Sequence, residues 1–251
     1  MPSPVLAPTS TLTTLGDDEL AAFKQLVRQD VKGAASLEDA AQRFTELFYR
    51  QFAASTVLVR IYVTLPFDRL PDEPQRFARA VARGSADKLK PTTQVLTLLG
   101  TTGVDPTWNA RRASKGHVAI PLIDATFVSA IPMVQSLLEQ MGMELRWVDQ
   151  DAKEFTRRLI GGFIGVFHVP EAASTVNRLG RHIIPAQDFV AAHGVKTVFG
   201  AGGAYLDGTM VAMVVFARET VARNDVDRLG GLITIFKSLT TTVIRERHYF
   251  T

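Results

Sequence analysis

The chain has 251 residues, of which 46% are hydrophobic and 21% charged, a composition typical of a globular protein with a sizeable core. It contains no cysteine, which excludes disulfides, thiolate metal ligands, cysteine nucleophiles and thioether-linked chromophores. The formal charge of +3 is too small, and the basic residues are too scattered, to indicate a nucleic-acid surface.

The N-terminal region predicts a tail followed by two helices. Residues 1–14 have neither a basic segment nor a long apolar segment, so we predict a flexible tail and not a secretory signal. One amphipathic helix begins near Asp17, and Ser36 is typical of the N-cap of a second helix. No apolar run approaches the roughly 20 residues that a membrane span needs, so we expect a cytoplasmic protein.

The middle of the chain alternates strand and helix patterns. Apolar and β-branched runs predict strands at residues 57–63, 95–99, 117–123 and 163–169, and Pro121 indicates that the third strand lies at an edge or ends there. Helices are predicted at residues 74–81, 132–141, 152–159 and 187–193. No repeat or change in composition marks a linker, so residues 15–251 are predicted to form a single domain.

A hairpin is predicted around Asp207-Gly208, which separates two apolar runs. A type I′ turn, with positive φ at both central residues, is expected there. The run 210–216 is apolar at odd and even positions alike, so this strand should lie inside the sheet and be covered on both faces. The glycines of residues 200–203 lack the spacing of a dinucleotide fingerprint and predict a close backbone approach or a bulge.

The last helix is expected to run for about 24 residues from an N-cap at Asn224. Apolar side chains step along it by three and four residues, over about two heptads. They either pack on the chain's own sheet or pair with a second copy. Because so long a helix should outrun a sheet of short strands, we predict a homodimer interface at Leu229, Leu232, Phe236, Leu239 and Val243.

This order of strand, turn glycine, apolar strand, polar break and long helix over residues 196–236 resembles the GAF fold of bacterial signalling proteins. Residues 167–174, 184–190 and 198–203 also resemble a sensor region at the front of multidomain histidine kinases. The resemblance implies an α+β fold: a central, largely antiparallel sheet flanked by helices, with long N- and C-terminal helices. No output module follows in this chain, so a separate signalling protein is a possible partner.

The resemblance also implies a ligand cavity between the sheet and the inserted helices. Aromatic and methionine side chains would form its apolar wall, although the same pattern is typical of a core. Arg111 would either hold an anionic group or lie at the surface. His117 and His168 would lie at the sheet ends, facing the pocket or forming structural hydrogen bonds. The candidate ligand-binding residues are Trp108, Arg111, His117, Met133, Phe163, Phe167, His168, Tyr205 and Met213.

Catalytic motifs are missing from the sequence. There is no Gly-x-Ser-x-Gly elbow or Walker motif, and the histidines lack metal-ligand spacing, so we expect no enzyme activity, no metal and no cofactor. The predicted function is a GAF-like sensory or regulatory module that binds an unidentified small molecule and signals through helix-mediated dimer contacts, with neither nucleic acid nor membrane as partner. The alternatives are a ligand-free protein-interaction module on the same fold and an unrecognised enzyme.

Overall fold

The computed structural model describes residues 11–114, 116–150, 152–162 and 164–251. The strands are β1 (Thr56–Pro66), β2 (Gln94–Gly103), β3 (Ala119–Pro121), β4 (Ile164–Val169), β5 (Thr197–Ala204) and β6 (Met210–Ala217). The α-helices are α1 (Asp17–Val31), α2 (Leu37–Gln51), α3 (Asp72–Ala82), α4 (Ala125–Ser129), α5 (Pro132–Gln140), α6 (Ala152–Gly162), α7 (Gln187–His193) and α8 (Arg223–Arg245). No described helix is both long and apolar enough to span a membrane.

The strands form one sheet in the order β3-β2-β1-β6-β5-β4, and each neighbouring pair is antiparallel. This arrangement confirms the predicted α+β fold class. The strand β6 lies between β1 and β5, as its apolar sequence predicts. The strand β3 lies at an edge, where Pro121 is tolerated, but it is shorter than predicted because Asp124 already caps α4.

Two cores cover the two faces of the sheet. One face packs against α1, α2 and α8, and we call it the terminal-helix face. The other packs against α5, α7 and the connecting segments, and we call it the inserted-helix face. Alternate residues of β6 enter different cores: Val211, Met213 and Val215 on the terminal-helix face, and Met210, Ala212, Val214 and Phe216 on the inserted-helix face.

Two glycines allow unusually close backbone packing. A Cβ on Gly100 of β2 would lie 2.3 Å from the carbonyl oxygen of Ala41, so α2 rests directly on the sheet. A Cβ on Gly200 of β5 would lie 2.0 Å from the carbonyl oxygen of Met213 in β6. The close approach predicted for the glycine-rich run is therefore present.

The turn between β5 and β6 differs from the predicted type I′ turn. Gly208 has a φ of 83°, but Asp207 is not among the described non-glycine residues with positive φ. The Tyr205 N–H donates to the Thr209 carbonyl over 2.8 Å, and the Gly208 N–H donates to the Tyr205 carbonyl over 3.0 Å. The loop is longer than a two-residue hairpin, so only Gly208 has to adopt a left-handed conformation.

The helix α8 begins two residues earlier than predicted, with Ala222 as N-cap instead of Asn224. Leu229, Leu232 and Phe236 are fully buried in the chain's own core, and the ring of Phe236 meets that of Phe44 edge to face at 5.6 Å. Leu239 and Val243 are half-buried against the same core. These residues therefore do not form the predicted dimer interface. They pack within the chain, because α1, α2 and the sheet already cover them.

The predicted flexible tail also needs correction at its end. Leu12 is 1% exposed, and its N–H donates to the Ser55 hydroxyl over 3.1 Å. The N–H of Thr13 donates to the Glu219 carboxylate over 3.2 Å. Residues 11–14 therefore pack on the domain, since an apolar side chain and backbone donors find partners there; residues 1–10 lie outside the described chain.

Candidate ligand-binding site

A cavity of about 370 Å³ lies on the inserted-helix face of the sheet. Its walls come from β1, β2, β6, α5, the start of α7 and the segment between β2 and β3. They comprise Leu58, Arg60, Tyr62, Leu96, Thr107, Trp108, Ala113, Ser114, Gly116, His117, Ile120, Met133, Val134, Leu137, Ile184, Pro185, Ala186, Phe189, Val214 and Phe216. A mostly apolar cavity with a few polar groups is the usual form of a small-molecule site.

One wall is an aromatic cluster. The ring centroid of Trp108 lies 5.6 Å from that of Phe189 and 5.1 Å from that of His193. Phe189 in turn meets Phe216 edge to face at 5.5 Å, which joins the segment after β2 to the sheet through α7. Such contacts fix ring orientations, so this wall is largely formed before any ligand arrives.

His117 and Gly116 line the cavity and are exposed to solvent, which places them at its opening. His117 has a φ of 55°, a conformation that few non-glycine residues adopt. Packing of its imidazole against the protein lowers the pKa of His117 by desolvation, and the positive charge of Arg60 lowers the pKa further. Both effects favour the neutral form of the imidazole.

Arg60 was not among the predicted site residues. It lies in the middle of β1, lines the cavity and is 8% exposed. The available signal was a single arginine within the apolar run 57–63, which a strand at the sheet centre must bury. Among the described lining residues it is the only one with a permanent charge.

Of the nine predicted ligand-binding residues, Trp108, His117 and Met133 line the cavity. Phe167 is fully buried in the core of the same face, without lining the cavity. His168 is half-buried, with its ring Nε2 2.9 Å from the Val221 carbonyl oxygen. Its backbone N–H donates to the side-chain oxygen of Gln140. Phe163 lies outside the described residues.

The other three predicted residues lie away from the cavity. Tyr205 and Met213 belong to the core of the terminal-helix face, because the strands alternate between faces; the Tyr205 hydroxyl is 2.7 Å from that of Thr240. Arg111 points away as well: its Nε is 2.9 Å from the Glu38 carboxylate. The anion-holding position expected at Arg111 is thus already filled by the chain itself.

Among the described residues, no group of three or more histidine, aspartate or glutamate side chains is placed to hold a metal ion. No aspartate or glutamate is found among the described residues that line the cavity. The site therefore offers an apolar volume, one buried guanidinium and one imidazole.

No protein-family model matches the chain, and no curated protein matches it significantly. Solved structures similar to it include the GAF domain of an Acinetobacter phosphoenolpyruvate-protein phosphotransferase, at 13% identity and a TM-score of 0.47, covering 93% of this chain and 96% of that one. The antiparallel sheet with helices on both faces is the α+β architecture that the sequence resemblance to GAF domains implies.

Two further similar structures contain different bound molecules. The phycoerythrobilin-bound GAF domain of a cyanobacterial phytochrome is 10% identical, with a TM-score of 0.46 and coverage of 91% of this chain and 98% of that one. The free methionine-R-sulfoxide reductase of Neisseria meningitidis, solved with its substrate, is 9% identical, with a TM-score of 0.48 and coverage of 95% and 98%. At these identities and TM-scores, neither similarity indicates an activity or a ligand for this chain.

Proposed function

We propose that this GAF-like protein is a sensory or regulatory module that binds a small molecule in the cavity on its inserted-helix face. The observation that carries the proposal is the cavity itself, about 370 Å³ between the sheet and α5, with walls that are mostly apolar. Ligand pockets typically measure roughly 300–1,000 Å³, so the volume suits a small organic molecule.

The cavity favours this proposal over a ligand-free interaction module, which would need no open volume in its core. Neither an aspartate nor a glutamate belongs to the described lining, which disfavours an enzyme that relies on carboxylates for acid–base catalysis. A cytoplasmic location and the lack of an enzymatic activity are parts of the same proposal.

Signal output would pass through the helices on the other face. A homodimer stays part of the proposal, but its contacts would have to use the exposed sides of α1 and α8, since the seam residues of α8 are buried within the chain. β1 joins the two faces: Leu58 lines the cavity, and Val59 packs in the terminal-helix core. A separate signalling protein would bind these helices and respond to the change that the ligand causes in them.

The proposal is tested with N-phenyl-1-naphthylamine, a neutral apolar dye whose fluorescence rises on leaving water. We expect saturable binding of one dye per chain, and a loss of affinity in Met133→Phe, because Met133 lines the cavity and the bulkier, more rigid ring would narrow it. Leu179→Phe is the matched control, since Leu179 is 75% exposed and does not line the cavity. Equal dye binding by all three proteins, or none by the wild type, would contradict the proposal.

A further inference from the structure

Arg60 is a buried guanidinium in the wall of an apolar cavity. It occupies the middle of β1, paired across the sheet with Thr101 of β2 and Val214 of β6. With strands on both sides and 8% exposure, its charge is removed from bulk water except through the cavity. Burying a charge in this way costs free energy unless a group of opposite charge pairs with it.

The partners of Arg60 are all neutral. Nη1 donates to the Tyr62 hydroxyl over 3.2 Å and to the Gly116 carbonyl over 2.9 Å. Nη2 donates to the Ser114 hydroxyl over 2.9 Å. Nε is buried and has no hydrogen-bond partner among the described residues. These three bonds fix the guanidinium plane and leave two of its five N–H donors without a partner among the described residues, one on Nε and one on Nη2.

No carboxylate of the described residues lies within 4 Å of Arg60. The contrast with Arg111 is direct: that residue is equally buried, and Glu38 neutralises it at 2.9 Å. A bound anion would neutralise the charge of Arg60 as Glu38 neutralises that of Arg111. An arginine fork with free donors suits a carboxylate, whose two oxygens accept in the same plane.

The remaining walls define the rest of the ligand. Apolar side chains surround the volume, including Leu58, Leu96 and Leu137. No lysine and no second arginine is found among the described lining residues, so most of the negative charges of a polyanion such as a nucleotide would have no positive partner there. The cavity therefore suits one anionic group on an apolar body.

We propose that the cavity binds a small monocarboxylate with an apolar body, its carboxylate held by the Arg60 guanidinium and the body packed against the sheet and α5. This inference rests on the proposed function, because it names the ligand class of the same cavity. Ser114 and Tyr62 act as positioning residues, because their hydroxyls accept from the guanidinium and hold it in the cavity wall.

The test compares 4-phenylbutyrate with 4-phenylbutyramide, which differ in charge but hardly in shape. Each compound is titrated as a competitor of N-phenyl-1-naphthylamine bound to the intact protein, at pH 7 and low salt. We expect the wild type to bind the acid at least about tenfold more tightly than the amide, as for a charge-assisted bidentate contact. Arg60→Met should abolish this preference while retaining the neutral dye.

Arg181→Met is the matched control, since Arg181 is half-buried, donates to the Ser129 carbonyl and does not line the cavity. It should keep the preference for the acid. Dye binding by Arg60→Met shows that this variant is folded, and the acid-to-amide ratio of the wild type is informative without any variant.

The failures are distinguishable. If the dye binds the wild type but acid and amide displace it equally, or neither displaces it, the carboxylate inference is overturned and the proposed function stands. A preference for the acid that persists in Arg60→Met also overturns the inference, because another group would hold the anion. If the dye does not bind at all, the proposed function fails, and the inference fails with it.

Discussion

At the scale of single residues, the protein contains two buried arginines in opposite situations. Arg111 is 4% exposed, with Glu38 at 2.9 Å and Glu73 at 3.7 Å. Arg60 has neutral partners only, as far as the described residues extend. The first arginine joins the segment before β3 to α2 and thus has a structural role, whereas the second faces the cavity.

Glu38→Gln should lower the free energy of unfolding by about 3 kcal/mol, because it leaves the buried charge of Arg111 without its closest counter-charge. Chemical denaturation measures the change. Asp227→Asn is the control: its ion pair with Arg223 is half-exposed, so its loss should change stability by less than about 1 kcal/mol. Equal effects of the two substitutions would contradict the structural role of the buried pair.

His117 should make stability depend on pH. Its pKa in the folded protein is lowered from an ordinary value of 6.5, first by desolvation and then by Arg60. Neutral His117 therefore contributes stability above that value, and the contribution is lost as pH falls, since the unfolded chain takes up the proton first. His117→Asn should flatten this loss, and asparagine tolerates the positive φ of the position.

The measurement is the free energy of unfolding of wild type and His117→Asn between pH 7 and pH 5. An NMR titration of His117 in Arg60→Met adds a second readout, in which the pKa should rise but stay below its ordinary value, because desolvation remains. Identical pH profiles for the two proteins would contradict this account of His117.

Sequence reasoning found some site residues and missed the charged one. Trp108, His117 and Met133 were identified because aromatic, histidine and methionine side chains near strand ends are typical of a pocket wall. Arg60 was passed over because an arginine within a strand is usually at an edge or on a solvated face. Only the pairing of β1 with strands on both sides shows that its charge is buried.

At the scale of elements, the contact between β5 and β6 depends on Gly200. Alanine there would place its Cβ 2.0 Å from the Met213 carbonyl oxygen, so β5 and β6 would have to separate. We expect Gly200→Ala to lower the free energy of unfolding by about 1–3 kcal/mol, as overpacking does. Denaturant unfolding measures it.

Gly231→Ala is the opposite control. Gly231 lies within α8, and a Cβ there would meet only the Lys24 side chain, at 3.7 Å. Alanine in a helix interior is better than glycine by about 0.5–1 kcal/mol, so this variant should be more stable than the wild type. If Gly200→Ala also leaves stability unchanged or raises it, the close approach of the strands is not as described.

The buried seam of α8 should behave as core. Phe236→Ala should lower the free energy of unfolding by about 3–5 kcal/mol, because Phe236 is fully buried against Phe44. Leu239→Ala should cost less, since Leu239 is only half-buried. Sedimentation should give the same oligomeric state for both folded variants and the wild type. A folded Phe236→Ala that dissociates a wild-type dimer would contradict the burial of the seam.

Most elements were predictable because their signals are local. Residues 187–193 form the predicted α7, and Ser36 caps α2 by accepting from the Asp39 N–H. The conformation of the turn at Gly208 and the packing of α8 were not predictable, because both depend on the parts of the chain that lie next to them in the fold. Heptad spacing shows only that a helix has one apolar face; it does not say whether a sheet or a second copy covers it.

At the scale of the whole molecule, the sheet separates two environments. The terminal-helix face is packed by α1, α2 and α8, whereas the inserted-helix face contains the cavity. The sequence predicted apolar residues on both sides of β6 but could not assign them to faces, so Tyr205 and Met213 were placed with the ligand although they belong to the opposite core. Register across the sheet, which is a long-range property, decides that assignment.

The central claim, that this cavity holds a small molecule, is tested most directly by Trp108. The chain has two tryptophans, and Trp147 does not line the cavity, so Trp147→Phe leaves Trp108 as the only tryptophan reporter. Titration of this variant with N-phenyl-1-naphthylamine should quench Trp108 fluorescence by energy transfer, saturating at one dye per chain, and Met133→Phe in the same background should shift the titration to higher dye concentration. Quenching that never saturates, or that Met133→Phe leaves unchanged, would contradict the claim.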